Sequence, residues 1–255
     1  MNIFKLLVNK IFLNWEHPFY SRTLFKFCTK YLDMWYGDNN FNRTSNGEYR
    51  FLRFLMPKAR VVFDIGANVG DYSEEILRLN PSIKIHAFEP DKDAFEKLKP
   101  LPLAANNFAL GDRSEERLLY REEGKTSHNS FYNLHSSATA PITVAVTTID
   151  DYCLKNKISH IDFLKVDVEG FEYSVIKGAE KMLAKGAINY VQFEFSGATI
   201  EARVFLKDFL TLFNKYGYNL YRIKPKSIEI VDYRPDKERF TLTNYLAVRK
   251  GLPIG

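Results

Sequence analysis

The sequence predicts an α/β fold: a mostly parallel sheet with helices on both faces, preceded by an N-terminal helical extension. Three observations carry this. From Arg60 onward, short β-rich runs alternate with helical stretches, as repeated strand–helix units require. Runs such as Val61-Val62-Phe63 and Phe163-Leu164 lack polar alternation, the mark of strands buried on both faces. The first of these runs passes through two glycines straight into a helical stretch, the strand–turn–helix arrangement whose crevice holds ligands in open α/β sheets.

Composition narrows the class. The 255 residues are 45% hydrophobic and 26% charged, which excludes a disordered chain. No apolar run approaches the roughly 20 residues of a membrane-spanning helix. The two cysteines, Cys28 and Cys153, make neither a disulfide framework nor a Cys-based zinc site. They suit a reducing compartment, so a cytoplasmic location is expected.

In chain order, a helical extension over 1–59 precedes a main domain over 60–255. Residues 1–13 carry Ile3, Phe4, Leu7, Val8 and Ile11 at helical spacing. Lys5 and Lys10 interrupt the run and no small-residue cleavage site follows, which argues against a secretory signal. The expected use is a helix on the core or against a second copy in a homo-oligomer, with weak peripheral membrane attachment as the alternative. A second helix is predicted over 19–35, a polar loop over 37–47 and a short helix over 47–56. Residues 1–60 hold ten Lys/Arg and four Asp/Glu, while the rest is close to neutral. Such asymmetry marks contact with an acidic partner or, more plainly, a solvated helical face.

Strands are predicted at Val61–Asp64, Ile83–Phe88, Leu103–Phe108, Ile161–Asp167 and Ala187–Phe195. Helices are predicted at Asp71–Leu79, Asp91–Leu98, Tyr173–Leu183 and Ala202–Tyr216. Tyr218–Ile223 and Thr241–Val248 read as edge strands, a closing hairpin around the loop 224–239. Between Arg117–Arg121 and Ile142–Thr147, two β-like runs, lies a polar loop of roughly 20 residues, long enough to suggest a lid or binding loop. Together with the N-terminal segment, the stretch 121–140 is expected to shape an acceptor pocket.

The chemistry concentrates at VVFDIGANVGDYSEEIL, residues 61–77. Gly66 and Gly70 permit a turn that side chains would strain and let a ligand approach the backbone. The helix that follows presents free N–H groups there. The spacing is not the dinucleotide G-x-G-x-x-G, and Asp64 at the strand end opposes a pyrophosphate but suits a cationic ligand end such as a methionine ammonium. Both features argue against a nicotinamide-dependent oxidoreductase. The next strand ends in Glu89, placed to accept from ribose hydroxyls; the alternative is a plain helix-entry carboxylate beside Pro90 and Asp91. In NNFALGD, Asn107 and Ala109 can flank an adenine, with Asp112 nearby.

Further on, Lys165-Val-Asp167-Val-Glu169-Gly170-Phe-Glu172 ends another buried strand. A lysine inside an apolar strand needs a partner, and Asp167, Glu169 and Glu194 are candidates. Glu194, at the end of INYVQFEFSG, reaches the same rim and can bind or deprotonate a substrate hydroxyl. Asp167, Glu169 and Glu194 can also hold a divalent cation through oxygen ligands; a structural ion-pair cluster is the alternative. Asp167, Glu194, His128 and His135 are the candidate bases. His17, His86 and His160 give no functional hint, and Cys153 reads as packing.

These residues resemble the FkbM-type S-adenosylmethionine-dependent methyltransferases from about residue 45 to 248. The matching segments are FDIGANVGDYS, AFEP, NFALGD, TTIDDY and, most specifically, DFLKVDVEGFEYSVIKGAE at 162–180. The resemblance implies a class I methyltransferase (Rossmann-like) three-layer sandwich with a seven-stranded, mostly parallel sheet and an antiparallel edge strand. It implies S-adenosylmethionine as methyl donor and O-methylation of a hydroxyl on a glycan or small molecule. By motif, Asp64, Gly66, Asn68, Gly70, Tyr72, Glu89, Asn107 and Asp167 would line the cofactor. A non-catalytic scaffold keeping the fold is an alternative. No nucleic-acid partner is expected: adjacent prolines are absent, so the N/D-P-P-Y/F motif used on base amino groups is missing.

Overall fold

The computed structural model describes residue 3 and residues 18–122, 125–134 and 140–254. The chain forms two compact units, 1–39 and 40–255. The first carries one described helix, α1 (Pro18–Tyr36). The segment 1–13, for which a further helix is predicted, lies outside the described residues apart from Ile3. The unit boundary falls twenty residues before the predicted 59/60 division. The reason is α2 (Glu48–Leu55), whose Phe51, Leu52 and Leu55 are buried in one core cluster with Phe163, Tyr190 and Leu246.

The second unit is built on an eight-stranded sheet. In chain order its strands are β1 (Val61–Ile65), β2 (Lys84–Phe88), β3 (Ala104–Asn106), β8 (Ile161–Val166), β9 (Ile188–Phe195), β10 (Tyr218–Ile223), β11 (Ile228–Ile230) and β12 (Thr243–Arg249). In space they run β11-β10-β12-β9-β8-β1-β2-β3. β3, β2, β1, β8 and β9 are mutually parallel. β12 runs antiparallel between β9 and β10, and β11 folds back antiparallel on β10. The predicted antiparallel edge strand is present as β11, but the sheet has eight strands instead of seven. The predicted edge strands Tyr218–Ile223 and Thr241–Val248 correspond to β10 and β12, both internal, β12 being a second antiparallel strand. Tyr245, Leu246, Ala247 and Val248 of β12 are all buried, as a strand with neighbours on both sides requires.

Helices cover both faces. α2, α3 (Asp71–Leu79) and α4 (Lys92–Leu98) pack with Val62, Ile85 and Phe163 on one side. The other side holds α5 (Ile149–Lys155), α6 (Glu172–Lys177), α7 (Glu180–Ala184) and α8 (Leu206–Lys215), packed with Phe63, Leu164 and Phe193. The three predicted layers are present. The single helix predicted over 173–183 is two: it breaks at Gly178–Ala179, where the Asp150 amide donates to the Gly178 carbonyl and the Asp150 carboxylate accepts from the amides of Lys181 and Met182 at the start of the second helix.

A second, four-stranded sheet runs β4-β7-β5-β6, formed by β4 (Ala109–Leu110), β5 (Glu115–Glu122), β6 (Lys125–Ser130) and β7 (Ile142–Thr147). The predicted long loop therefore holds a strand, β6. Its sequence KTSHNS has no apolar residue, so it carries no period-two signal.

Candidate functional site

The site begins where β1 ends. Backbone N–H groups of Gly66 and Ala67 donate to the Phe88 carbonyl, so the turn is stitched across to β2. Gly66 (φ 76°) and Gly70 (φ 101°) are left-handed. Gly66 has the strained backbone the predicted turn requires, and a Cβ there would also overlap the Asp167 carbonyl oxygen. Glycine lets the turn lie against the end of β8. Asn68 is left-handed too (φ 50°), a conformation asparagine tolerates better than most residues.

Asp64 is wholly buried, and its Oδ2 accepts from Ser73 Oγ at 2.6 Å. Burial pushes its carboxyl pKa up, against the opposing pull of Lys165, Ser73 and Arg43. Its Oδ1 and the Oδ1 of Asn68 are buried acceptors with no hydrogen-bond donor among the described residues. Two such orphaned oxygens at one turn fit a ligand that brings ammonium and hydroxyl donors. Glu89 faces the same turn. One carboxylate oxygen accepts from the Asn68 amide at 2.8 Å and the other from the Asp91 amide at 2.9 Å. Burial outweighs these bonds and raises its pKa to about 7.

Four other predicted cofactor positions are placed as follows. Tyr72 is buried and donates its hydroxyl to Gln192 at 3.1 Å. Asn107 spends its side-chain N–H groups on the Glu89 and Pro90 carbonyls at 2.9 and 3.2 Å. Ala109 belongs to the second sheet and packs in the core, and Asp112 is exposed just beyond it. None of these four extends the pair of orphaned oxygens.

The acidic rim follows β8 and β9. Lys165 and Asp167 are two apart on one strand face, and Lys165 Nζ meets Asp167 Oδ2 at 2.7 Å. Of the three predicted partners for the lysine, Asp167 is the one bonded. Arg43 adds a second cation 3.6 Å from Asp167. Burial favours the neutral acid, but the two cations outweigh it and hold Asp167 below its usual range. Its neighbours go the other way. One oxygen each from Asp167, Glu169 and Glu194 lie within 4.8 Å of one another. Burial and the adjacent carboxylates push Glu169 up to about 8 and Glu194 well above its ordinary value. The rim therefore keeps one anion fixed, holds a proton on Glu169 at neutral pH and biases Glu194 toward its neutral form.

Further residues shape this rim, most of them without a sequence signal. Glu172 Oε1 turns back to accept from the amides of Val168 and Gly170 at 3.0 and 3.1 Å, bracing a loop in which Glu169 (φ 52°) and Gly170 (φ 103°) are both left-handed. Ser130, at the end of β6, donates to the Glu169 carbonyl at 2.7 Å. Phe131 packs on Phe171 at 4.8 Å, and the Arg117 guanidinium lies 4.5 Å from the Phe171 ring centre. The second sheet thus holds the acidic loop. Below the rim, Glu48 accepts from Gln192 and Asn46, each at 2.6 Å, while Lys165 and Arg43 lie over the Tyr72 ring at 4.7 and 5.5 Å. These contacts join residues far apart in sequence, so only Glu172, within the KVDVEGFE run, was open to discovery. Of the candidate bases, His135 lies outside the described residues, as does the side chain of His128.

Set beside known proteins, residues 64–220 match the family described as the methyltransferase FkbM domain. Hexuronic acid methyltransferase AglP of Haloferax volcanii is 25% identical over 158 residues, a stretch covering 58% of this chain and 62% of AglP. The chain thus spans less than two thirds of that relative's length. Among solved structures, methyltransferase FkbM from Methylobacillus flagellatus has 15% identity and a TM-score of 0.46, over 74% of this chain and 43% of its own. A TehB-like SAM-dependent methyltransferase from Corynebacterium glutamicum has 14% identity and a TM-score of 0.42, over 88% of this chain and 97% of its own.

Proposed function

The chain belongs to the FkbM methyltransferase family, and on that premise we propose that it moves the methyl group of S-adenosylmethionine to a hydroxyl of a sugar or similar acceptor. When bound, S-adenosylmethionine supplies a methyl carbon already activated by its sulfonium. Asp64 and the turn 66–70 hold the amino-acid end, and Glu89 holds the ribose. The chain's remaining task is to align the acceptor, exclude water and receive a proton.

The observation that carries the choice of hydroxyl is the three-carboxylate rim. An acceptor hydroxyl must lose a proton as its oxygen bonds to carbon, and a carboxylate whose pKa is raised is the stronger base once ionised. Glu194 is the proposed base, with Glu169 beside it, while Asp167, held as an anion by Lys165 and Arg43, is the poorer proton acceptor and fixes the local charge. The name of AglP suggests a hexuronic acid as acceptor. Among the groups of such an acceptor a hydroxyl is the one that needs a proton taken from it, the task for which the rim has a base, whereas a carboxylate is already ionised. The same three oxygens favour a divalent cation as a second reading, and loss of activity on chelation, restored by magnesium, would decide for it.

Titration calorimetry with S-adenosylmethionine and labelled-methyl transfer to uronic-acid and neutral oligosaccharides test the proposal. Transferred label should resist mild alkali, as an ether does; label released as a base-labile ester would refute the hydroxyl assignment. Asp64→Asn should weaken cofactor binding about ten-fold or more, the loss expected for a charge-assisted contact, without lowering the melting temperature comparably. Unchanged affinity would remove Asp64 from the cofactor site.

A further inference from the structure

α1 is amphipathic, yet its apolar face is not buried. At 3.6 residues per turn, Phe27, Tyr31, Met34 and Trp35 follow one another at i, i+4, i+7 and i+8 along one side. A helix facing its own core would bury all four. They are instead 54–74% exposed, and Phe25 and Leu32 beside them are exposed as well. The Tyr31 and Trp35 rings stack with centres 6.4 Å apart, so the aromatic surface is continuous. On the other side Arg22, Lys26 and Lys30 recur every fourth residue, and all three are exposed. The helix has one acid, Asp33, and it is buried. Among the described side chains of α1, every exposed charge is therefore positive.

We propose that α1 docks in the interfacial plane of an anionic lipid surface. A broad apolar face rich in Trp, Tyr and Phe, opposite a basic stripe, is the pattern of a helix that lies at the headgroup boundary. The ring bodies enter the acyl edge while polar ring atoms stay with the headgroups. Lysine and arginine stems run along the apolar surface and carry their charges out to lipid phosphates. The basic stripe favours this occupant over a second copy of the chain: a symmetric pairing of apolar faces would cover the aromatics but leave the stripe, on the far side of the helix, with no counter-charge, whereas an anionic surface meets both. The inference concerns α1 and not the segment 1–13, and it does not depend on the identity of the methyl acceptor.

The chain has two tryptophans, Trp15 and Trp35, so a full-length Trp15→Phe protein reports on Trp35 alone. On vesicles of phosphatidylcholine with about 30% phosphatidylglycerol, Trp35 emission should shift to the blue and become protected from aqueous quenchers, and about 0.5 M salt should reverse much of the binding. In co-sedimentation, Lys26→Glu/Lys30→Glu should lower partition at least about ten-fold, since each basic residue contributes about five-fold at such a surface. Phe27→Ser/Tyr31→Ser should do the same, and if that variant fails to fold the charge-reversal pair still decides. The proposal is overturned if Trp35 emission ignores these vesicles or if the charge-reversed protein binds them as well as the parent. It is equally overturned if sedimentation velocity without lipid finds a dimer that Phe27→Ser/Tyr31→Ser dissolves.

Discussion

Arg43 sits between the Asp167 carboxylate and the Tyr72 ring, and with Lys165 it gives the site two cations among a larger number of acids. Its own pKa is raised because Asp167, Glu48 and Asp64 together outweigh its burial. Replacing it with Gln removes one of the two charges that keep Asp167 ionised. In the parent enzyme, activity should rise with pH as the Glu169–Glu194 pair ionises, through a midpoint well above the ordinary carboxylate range. In Arg43→Gln that midpoint should move upward, while Arg43→Lys restores it. A kcat that falls with no change in the pH profile would reduce Arg43 to a packing role. Nothing local in the sequence points to this residue: it lies in a polar stretch that reads correctly as a loop, and its meaning comes from β8, distant in sequence. Asp64 and Glu89 were legible because each ends a strand next to a turn signal. The proton-holding character of Glu169 and Glu194 was not, since it arises from three carboxylates converging across two strands.

Among the elements, β1 and α3 were readable almost to the residue. Uninterrupted apolar character marks the strand, and the glycine turn marks the helix start. The second sheet was hidden for opposite reasons: β4 has two residues and β6 has none that are apolar, so neither leaves a hydrophobic period. The internal place of β12 was hidden too, because its apolar run suits an edge or a centre equally until β10 is known to pair outside it. The β1–α3 turn also offers a clean test of why glycine is used. Gly66 and Gly217 share a left-handed backbone (φ 76° and 79°), but a Cβ would overlap the Asp167 carbonyl at the first and meet nothing within 4 Å at the second. Gly217→Ala should cost about 1–2 kcal/mol, the left-handed penalty alone. Gly66→Ala should cost at least about 2 kcal/mol more, because backbone must move. Urea melts of the two variants measure the difference; equal losses would mean that the turn yields easily.

For the molecule as a whole, the buried acids set a pH dependence of stability. Glu89 and Glu172 are raised to about 7 and Glu169 to about 8, each from 4.5, mainly by burial. Between those limits the folded protein binds more protons than the unfolded chain, so stability falls as pH rises. Asp167, shifted downward, acts in the opposite sense only in more acidic solution. Thermal melts of the ligand-free protein should accordingly give a higher midpoint at about pH 5.5 than at about pH 8.5. Glu172→Gln should flatten that slope, and a midpoint that rises with pH would contradict the assignment.

The position of β12 has a consequence for biosynthesis. β10 reaches the sheet through β12, which pairs with β9 on its other edge. A nascent chain emerging from the ribosome can lay down β1, β2, β3, β8 and β9 in turn, but β9 keeps a bare edge until residues 243–249 arrive. During that interval the β9 edge is a site for mispairing with a neighbouring polypeptide, so translation pauses upstream of β12 should raise the aggregated fraction, whereas pauses after it should not.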